Sequence, residues 1–191
     1  MSQHLWSLPE TVRIHENFLT GDAFLTIHDG KERPIFDVQC PSLRLKKTAH
    51  VFSSEDGRDK VCSLSAVYGV NWNIMVCQPN DEILGVIQKE KSTENGQVFW
   101  VVLDSAGEKL FTIRHLDSGF RKFLKKVTLF SSQIYKFYSG KEYLGYFTKK
   151  SGIVHEEYVA QFERKTSNCV DPRMMLATCI ALTGLFDRIF T

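Results

Sequence analysis

The sequence predicts a mainly β domain in which antiparallel strands wrap around one hydrophobic C-terminal helix. Three observations predict it. Short β-prone runs recur between glycine-bearing turns, the last twenty or so residues open on Asp171-Pro172 and are uncharged from Met174 through Phe186, and one glycine-centred strand pattern occurs twice.

The turns come first because they divide the chain. His28-Asp29-Gly30, Glu55-Asp56-Gly57, Glu94-Asn95-Gly96, Asp104-Ser105-Ala106-Gly107 and Tyr138-Ser139-Gly140 each set Gly beside a small or polar residue. Hairpin turns need that chemistry, because their central residues adopt positive φ. Between them lie Phe24–His28, Ile35–Val38, Val61–Ala66, Trp72–Cys77, Ile83–Gln88, Val98–Leu103, Leu110–Arg114, Gln133–Tyr138, Tyr143–Thr148 and Glu157–Phe162, rich in Val, Ile, Phe, Tyr, Trp and Thr. Runs at this spacing read as an antiparallel meander and not as βαβ units. Val98–Leu103 is apolar throughout, which predicts cover on both of its faces.

The C-terminus supplies the cover. Asp171 can cap free N–H groups, and Pro172 suits the first helical position. Met174 to Phe186 is then 13 residues without a charge. A helix apolar all round is buried, and a run of this length is a core helix more readily than a span, which needs about 20 apolar residues. The predicted layout is one domain over 1–191, with the barrel at roughly 11–168 and the helix at roughly 171–190.

Ile83-Leu84-Gly85-Val86-Ile87-Gln88-Lys89 and Tyr143-Leu144-Gly145-Tyr146-Phe147-Thr148-Lys149 share one pattern, with their glycines 60 residues apart. Gly weakens a strand unless another backbone comes close. Either the helix crosses the inner face of both strands, or each site holds a β-bulge.

Composition bounds the class. With 43% hydrophobic and 24% charged residues the chain is an ordinary globular protein, and a net charge of +2 leaves any basic function to local clusters. Five cysteines with no C-x-x-C announce neither a disulfide framework nor a zinc site. Met1 to Glu10 has no apolar stretch behind a basic start, so no secretory signal is expected. The expected location is intracellular: cytoplasm, the periphery of a membrane, or the nucleus.

Four segments in order carry a resemblance. They are Ile83-Leu84-Gly85-Val86-Ile87-Gln88, the strand pair Phe99 to Ile113, Leu144-Gly145-Tyr146-Phe147-Thr148-Lys149, and the closing Val170-Asp171-Pro172-Arg173-Met174-Met175-Leu176 through Phe190. Their order resembles the phospholipid scramblase branch of the tubby-like superfamily, which also holds the plant LURP-one-related proteins. The resemblance implies a closed antiparallel barrel of about 12 strands threaded by the C-terminal helix. It also implies action on phospholipid, with calcium as a family ligand and acylated cysteines as a family anchor. This chain departs from the last two patterns. The region before the first Gly strand, Val67 to Cys77, holds one cysteine, and the stretch ahead of the helix, His155 to Arg164, is not rich in Asp and Asn. The residues themselves announce no cofactor and no metal.

Catalytic patterns are absent from the sequence. There is no Gly-x-Ser-x-Gly, no His-Glu-x-x-His, and no phosphate-cradling glycine loop. Asn80-Asp81-Glu82 with Gly85 begins like a calcium loop, but Lys91 stands at position twelve, where a bidentate Glu is required. Glu156-Glu157 beside His155 reads as a solvated strand end. No enzyme is expected.

The basic clusters carry a mechanism. Arg121, Lys122, Lys125 and Lys126 surround Phe123 and Leu124, so the apolar pair can dip among headgroups while the cations meet acidic lipid. At about 1 kcal/mol per cation the four give about 4 kcal/mol, roughly millimolar binding, so a second contributor is required. Lys149 and Lys150 are candidates for it, with Arg44-Leu45-Lys46-Lys47 and Arg164-Lys165 as others. The competing reading is that these lysines merely discourage edge pairing. Aromatics interleave with Lys136 and Lys141, as in an oligonucleotide face, but strand alternation produces the same interleaving, and nucleic acid is not the expected partner. The expected function is binding or tethering to an acidic phospholipid surface, with lipid movement between leaflets as the family-level activity. The alternative is a soluble tubby-like or LURP-one-like adaptor acting through a protein partner, including a transcription-linked one.

Overall fold

The computed structural model describes residues 8–17, 24–40, 48–54, 59–67, 73–91, 98–115, 131–151, 156–164 and 170–186. Side-chain alternation builds its wall. In β1 (Thr11–Asn17), Val12 and Ile14 are buried while Arg13 and His15 face outward. The wall runs on through β2 (Phe24–Asp29), β3 (Pro34–Gln39), β4 (Thr48–Ser53), β5 (Lys60–Val67) and β6 (Asn73–Cys77). It continues in β7 (Ile83–Lys91), β8 (Val98–Asp104), β9 (Lys109–His115), β10 (Ser131–Ser139), β11 (Glu142–Ser151) and β12 (Glu156–Phe162). Each strand pairs antiparallel with the next, and β12 pairs back onto β1, with Thr11 opposite Gln161 and Ile14 opposite Tyr158. The twelve strands form a closed barrel, which leaves no exposed edge among them.

The ten expected runs are β2, β3 and β5 to β12. Strands β1 and β4 are additions, each holding only two inward apolar residues: Val12 and Ile14, and Ala49 and Val51. Val98–Leu103 is covered as expected on one face, where Trp100 and Val102 point into the core. On the other, Val101 is 6% exposed between its strand partners Gln88 and Thr112.

Helix α1 (Pro172–Leu182) fills the barrel, with every residue from Met174 to Leu182 buried. Its start is built as the sequence predicts. Arg173 N–H donates to Asp171 Oδ1 at 2.8 Å, and the Arg173 guanidinium grips the same carboxylate at 2.7 Å and reaches Gln78 Oε1 at 3.3 Å. The regular helix stops earlier than residue 190. Gly184 takes φ +80 and its N–H donates to the Ala181 carbonyl at 3.2 Å, an ending that favours glycine. Two buried hydroxyls stay satisfied within the helix and its cap: Thr178 Oγ1 donates to Met174 O at 2.8 Å and Thr183 Oγ1 to Ile180 O at 2.7 Å.

The helix lies off-centre, its backbone nearest β5, β6 and β7. Wall residues there are small or aliphatic: Cys62, Leu64, Ile74, Val76, Gly85 and Ile87. The wider space on the far side is filled by aromatic rings of β9 to β12. Phe111 meets Phe137 edge-on at 6.1 Å, Phe137 stacks on Phe162 at 6.2 Å, and Phe147 lies 6.1 Å from Tyr158.

The two strand glycines have different reasons. A Cβ on Gly85 would overlap the Leu103 carbonyl and sit 2.8 Å from Met174 Cε, so the helix does press on β7, and the ladder to β6 shifts register beside it, between Val76 and Cys77. Gly145 takes φ +144, and a Cβ there would overlap the Gln161 carbonyl. No helix atom is among its nearest neighbours, and the β10–β11 register shifts opposite it, between Phe137 and Tyr138. The first glycine answers both the helix and a bulge, the second the neighbouring strand and a bulge.

Candidate functional site

The up-and-down topology sorts the connections into two ends. Helix α1 enters at the end holding Gln78, which binds Arg173, and runs towards the end where Tyr158 meets the Thr183 carbonyl at 3.2 Å. Six strand-to-strand connections leave from the exit end: 18–23, 41–47, 68–72, 92–97, 116–130 and 152–155. By sequence they carry seven cations (Arg44, Lys46, Lys47, Arg121, Lys122, Lys125, Lys126) against three acids (Asp22, Glu94, Asp117). The five turns at the entry end carry the reverse. Lys31, Arg33, Arg58 and Lys141 stand there against Glu32, Glu55, Asp56, Asp59, Asp81, Glu82 and Glu108. By sequence, the connections at the two ends therefore carry charge of opposite sign, a difference that net charge hides.

Arg121, Lys122, Phe123, Leu124, Lys125 and Lys126 lie outside the described residues, as do Arg44 to Lys47 and Lys165. The described ends on either side of the first segment, His115 of β9 and Ser131 of β10, are at the exit end, and Ser132 pairs with Lys150. The described ends flanking 41–47, on β3 and β4, belong to the same rim but lie across the barrel. Arg164 is at the opposite end, where its Nε pairs with Glu10 at 2.6 Å. A shallow cavity of about 150 Å³ beside that pair is lined by Leu8, Phe162, Val170, Pro172 and Met175.

Lys149 and Lys150 are both described, and they point opposite ways. Lys149 pairs with Tyr158 across the β11–β12 ladder and shares its inner face. Its side chain is 19% exposed, its ammonium lies 2.9 Å from Glu156 Oε2, and it stands 5.4 Å over the Tyr158 ring. The Tyr158 hydroxyl also donates to Glu156. Lys150 faces out, 60% exposed, with Glu157 Oε2 at 3.5 Å.

Glu156 is the residue that sequence reading missed. It is no plain solvated strand end but the acid that ties Lys149 and Tyr158 together beside the helix terminus. The signal was available: Glu156 stands two residues from Tyr158 and shares its face. The interleaved aromatics divide in the same way. Phe137 and Phe147 are fully buried, whereas Tyr138 and Tyr143 lie outside, 5.7 Å apart, with Arg114 and Lys136 over their rings at 5.5 and 6.0 Å.

The described cysteines offer no ready thiolate. Cys40, Cys62, Cys77 and Cys179 are buried. Burial pushes the Cys62 thiol up to about 12 and raises Cys77 and Cys179 as well. The turn read as failing the calcium pattern is held by other means. Asp81, at φ +66, pairs with Lys60 at 3.1 Å.

No family profile matches the chain. No curated protein matches it either. Its fold does have a solved counterpart, the X-ray structure of a protein from Arabidopsis thaliana. That structure is 13% identical, aligns with a TM-score of 0.51, and covers 96% of this chain and 93% of its own. A likeness at this identity speaks for the fold alone. The closed twelve-stranded barrel about a C-terminal helix, with this counterpart over nearly its whole length, supports a tubby-like fold.

Proposed function

We propose that this protein docks on acidic phospholipid surfaces through the exit end of its barrel, as a scramblase-like membrane-surface protein. One observation carries the reading: the connections bearing Arg44 to Lys47 and Arg121 to Lys126 join strand ends at the same rim, and the opposite rim is acidic. The four cations of 121–126 alone give roughly millimolar binding. If Arg44, Lys46 and Lys47 meet the same surface, seven cations give about 7 kcal/mol, on the order of ten micromolar. Phe123 and Leu124 would add apolar contact, and Lys150, outward near the exit end of β11, would add charge at the same rim. The buried helix favours binding over conduction, since side chains occupy the space through which a headgroup would pass. Lipid movement between leaflets therefore ranks below surface docking.

The test is co-sedimentation with vesicles of phosphatidylserine and phosphatidylcholine against phosphatidylcholine alone. Pelleting that needs the acidic lipid and falls with salt is the expected result. No pelleting at low salt refutes the reading. It would favour a soluble adaptor, for which the engagement of Lys149 and Lys150 by Glu156 and Glu157 already speaks.

A further inference from the structure

The outer wall away from the basic rim carries a second chemically capable cluster. His15 on β1 and His28 on β2 both face outward, because Arg13 pairs with His28 and His15 with Thr26 across the ladder. The β2–β3 turn folds Glu32 back towards them. One ring nitrogen of each histidine and a carboxylate oxygen of Glu32 lie within 4.8 Å of one another. His15 Nε2 is 3.7 Å and His28 Nδ1 3.9 Å from the same atom, Glu32 Oε2. Two imidazoles and one carboxylate form a donor set for first-row transition dications. Zinc bonds of about 2.0–2.1 Å in tetrahedral geometry separate the donors by roughly 3.3 Å. Closing this set around an ion thus takes roughly half an ångström for each pair with Glu32.

The carboxylate is held for that task. Asp29, nearly buried, accepts the N–H groups of Lys31 at 2.8 Å and Arg33 at 3.0 Å, and the Arg33 guanidinium closes on it at 2.6 Å. The locked turn keeps Glu32 at φ +62, uncommon for a residue with a side chain. Arg13 Nε stands 3.0 Å from Glu32 Oε1, close enough for an ion pair though off line for a hydrogen bond, and leaves Oε2 facing His15 and His28, whose Nδ1 must exchange the Glu32 backbone carbonyl at 3.2 Å for the ion. Outer partners of this kind orient ligating carboxylates.

We propose that His15, His28 and Glu32 bind one transition dication of the zinc class on the outer wall of the barrel. This site is independent of the lipid reading and can stand or fall without it. The experiment is calorimetric titration of the chelator-stripped full-length chain with zinc chloride, beside His15→Ala and Glu32→Gln. Far-UV circular dichroism checks the fold of each variant, and Asp29 remains to hold the turn. One zinc per chain is expected for the native protein, more than about tenfold weaker in both folded variants, since losing a ligand costs at least as much as losing an outer partner. A zinc-dependent rise in melting temperature should appear only in the native protein. No uptake by the native chain, or equal uptake by the variants, overturns the assignment, because zinc at the thiols would survive both substitutions.

Discussion

Met174 of the helix sets its Cε against Gly85 of β7, 2.8 Å from where a Cβ on that glycine would stand. This contact fixes how deep the helix enters the barrel. It lies one turn inside the Asp171 cap, so the capped start and the missing side chain together set the register of the core.

Gly85→Ala is accordingly expected to destabilise. The added methyl meets the Leu103 carbonyl as well as Met174, and backbone yields less than a side chain. Overpacking of this kind costs about 1–3 kcal/mol. At roughly 3 °C per kcal/mol for a chain of this length, the melting temperature falls by about 5 °C. Adding Met174→Ala should not restore it; full restoration would assign the clash to the helix alone.

Ile180→Asp should abolish soluble folding. Ile180 is 0% exposed among apolar neighbours, and an unpaired carboxylate there costs several kcal/mol, a large part of a typical domain's stability. Recovery of a soluble variant with a native-like melting curve would place the helix outside the core.

Lys149 and Lys150 should separate in stability. Lys149→Met leaves Glu156 half-buried without its cation and is expected to cost about 1–2 kcal/mol, between exposed and buried pairs. Lys150→Met opens an exposed pair and should stay within about 0.5 kcal/mol. Urea denaturation of both variants checks the order.

Much of this was legible in the sequence, and the misses share a cause. Ten strands could be read because each holds enough apolar or β-branched residues to announce itself. β1 and β4 could not, because polar or charged residues (Arg13, His15 and Glu16, and Thr48, His50 and Ser53) flank their two inward apolar positions, and only in β1 does closure onto the distant β12 complete the pairing. The Asp171-Pro172 start was local chemistry and therefore visible. The end at Gly184 was masked by the apolar Leu185 and Phe186, which remain buried beyond it. Site residues were harder still. Lys149 and Lys150 are neighbours in sequence but face opposite sides of the wall, and His15 and His28, thirteen positions apart, come together only through the β1–β2 register.

Acid should weaken the fold through Asp29. Hydrogen bonding by the Arg33 N–H, then the Arg33 guanidinium and the Lys31 N–H, holds its carboxyl below the ordinary value, against burial, which acts the other way. A depressed folded pKa contributes stability that is present above the unfolded value of about 3.9 and is lost as pH falls through the folded one. Asp29→Asn is expected to melt lower at pH 7 and to lose less on going from pH 5 to pH 3. An unchanged acid slope would remove Asp29 from the account.

The polarity of the barrel leads to the most direct measurement. Arg121→Glu with Lys125→Glu cancels the positive excess of the exit connections, and Arg58→Glu with Lys141→Glu makes the same change of charge on the already acidic entry turns, with salt-dependent pelleting on phosphatidylserine vesicles as the readout. Loss of pelleting in the first double variant, with the second pelleting like the native chain, is the predicted result. Equal pelleting by all three proteins, or equal loss in both variants, would contradict docking by the basic end.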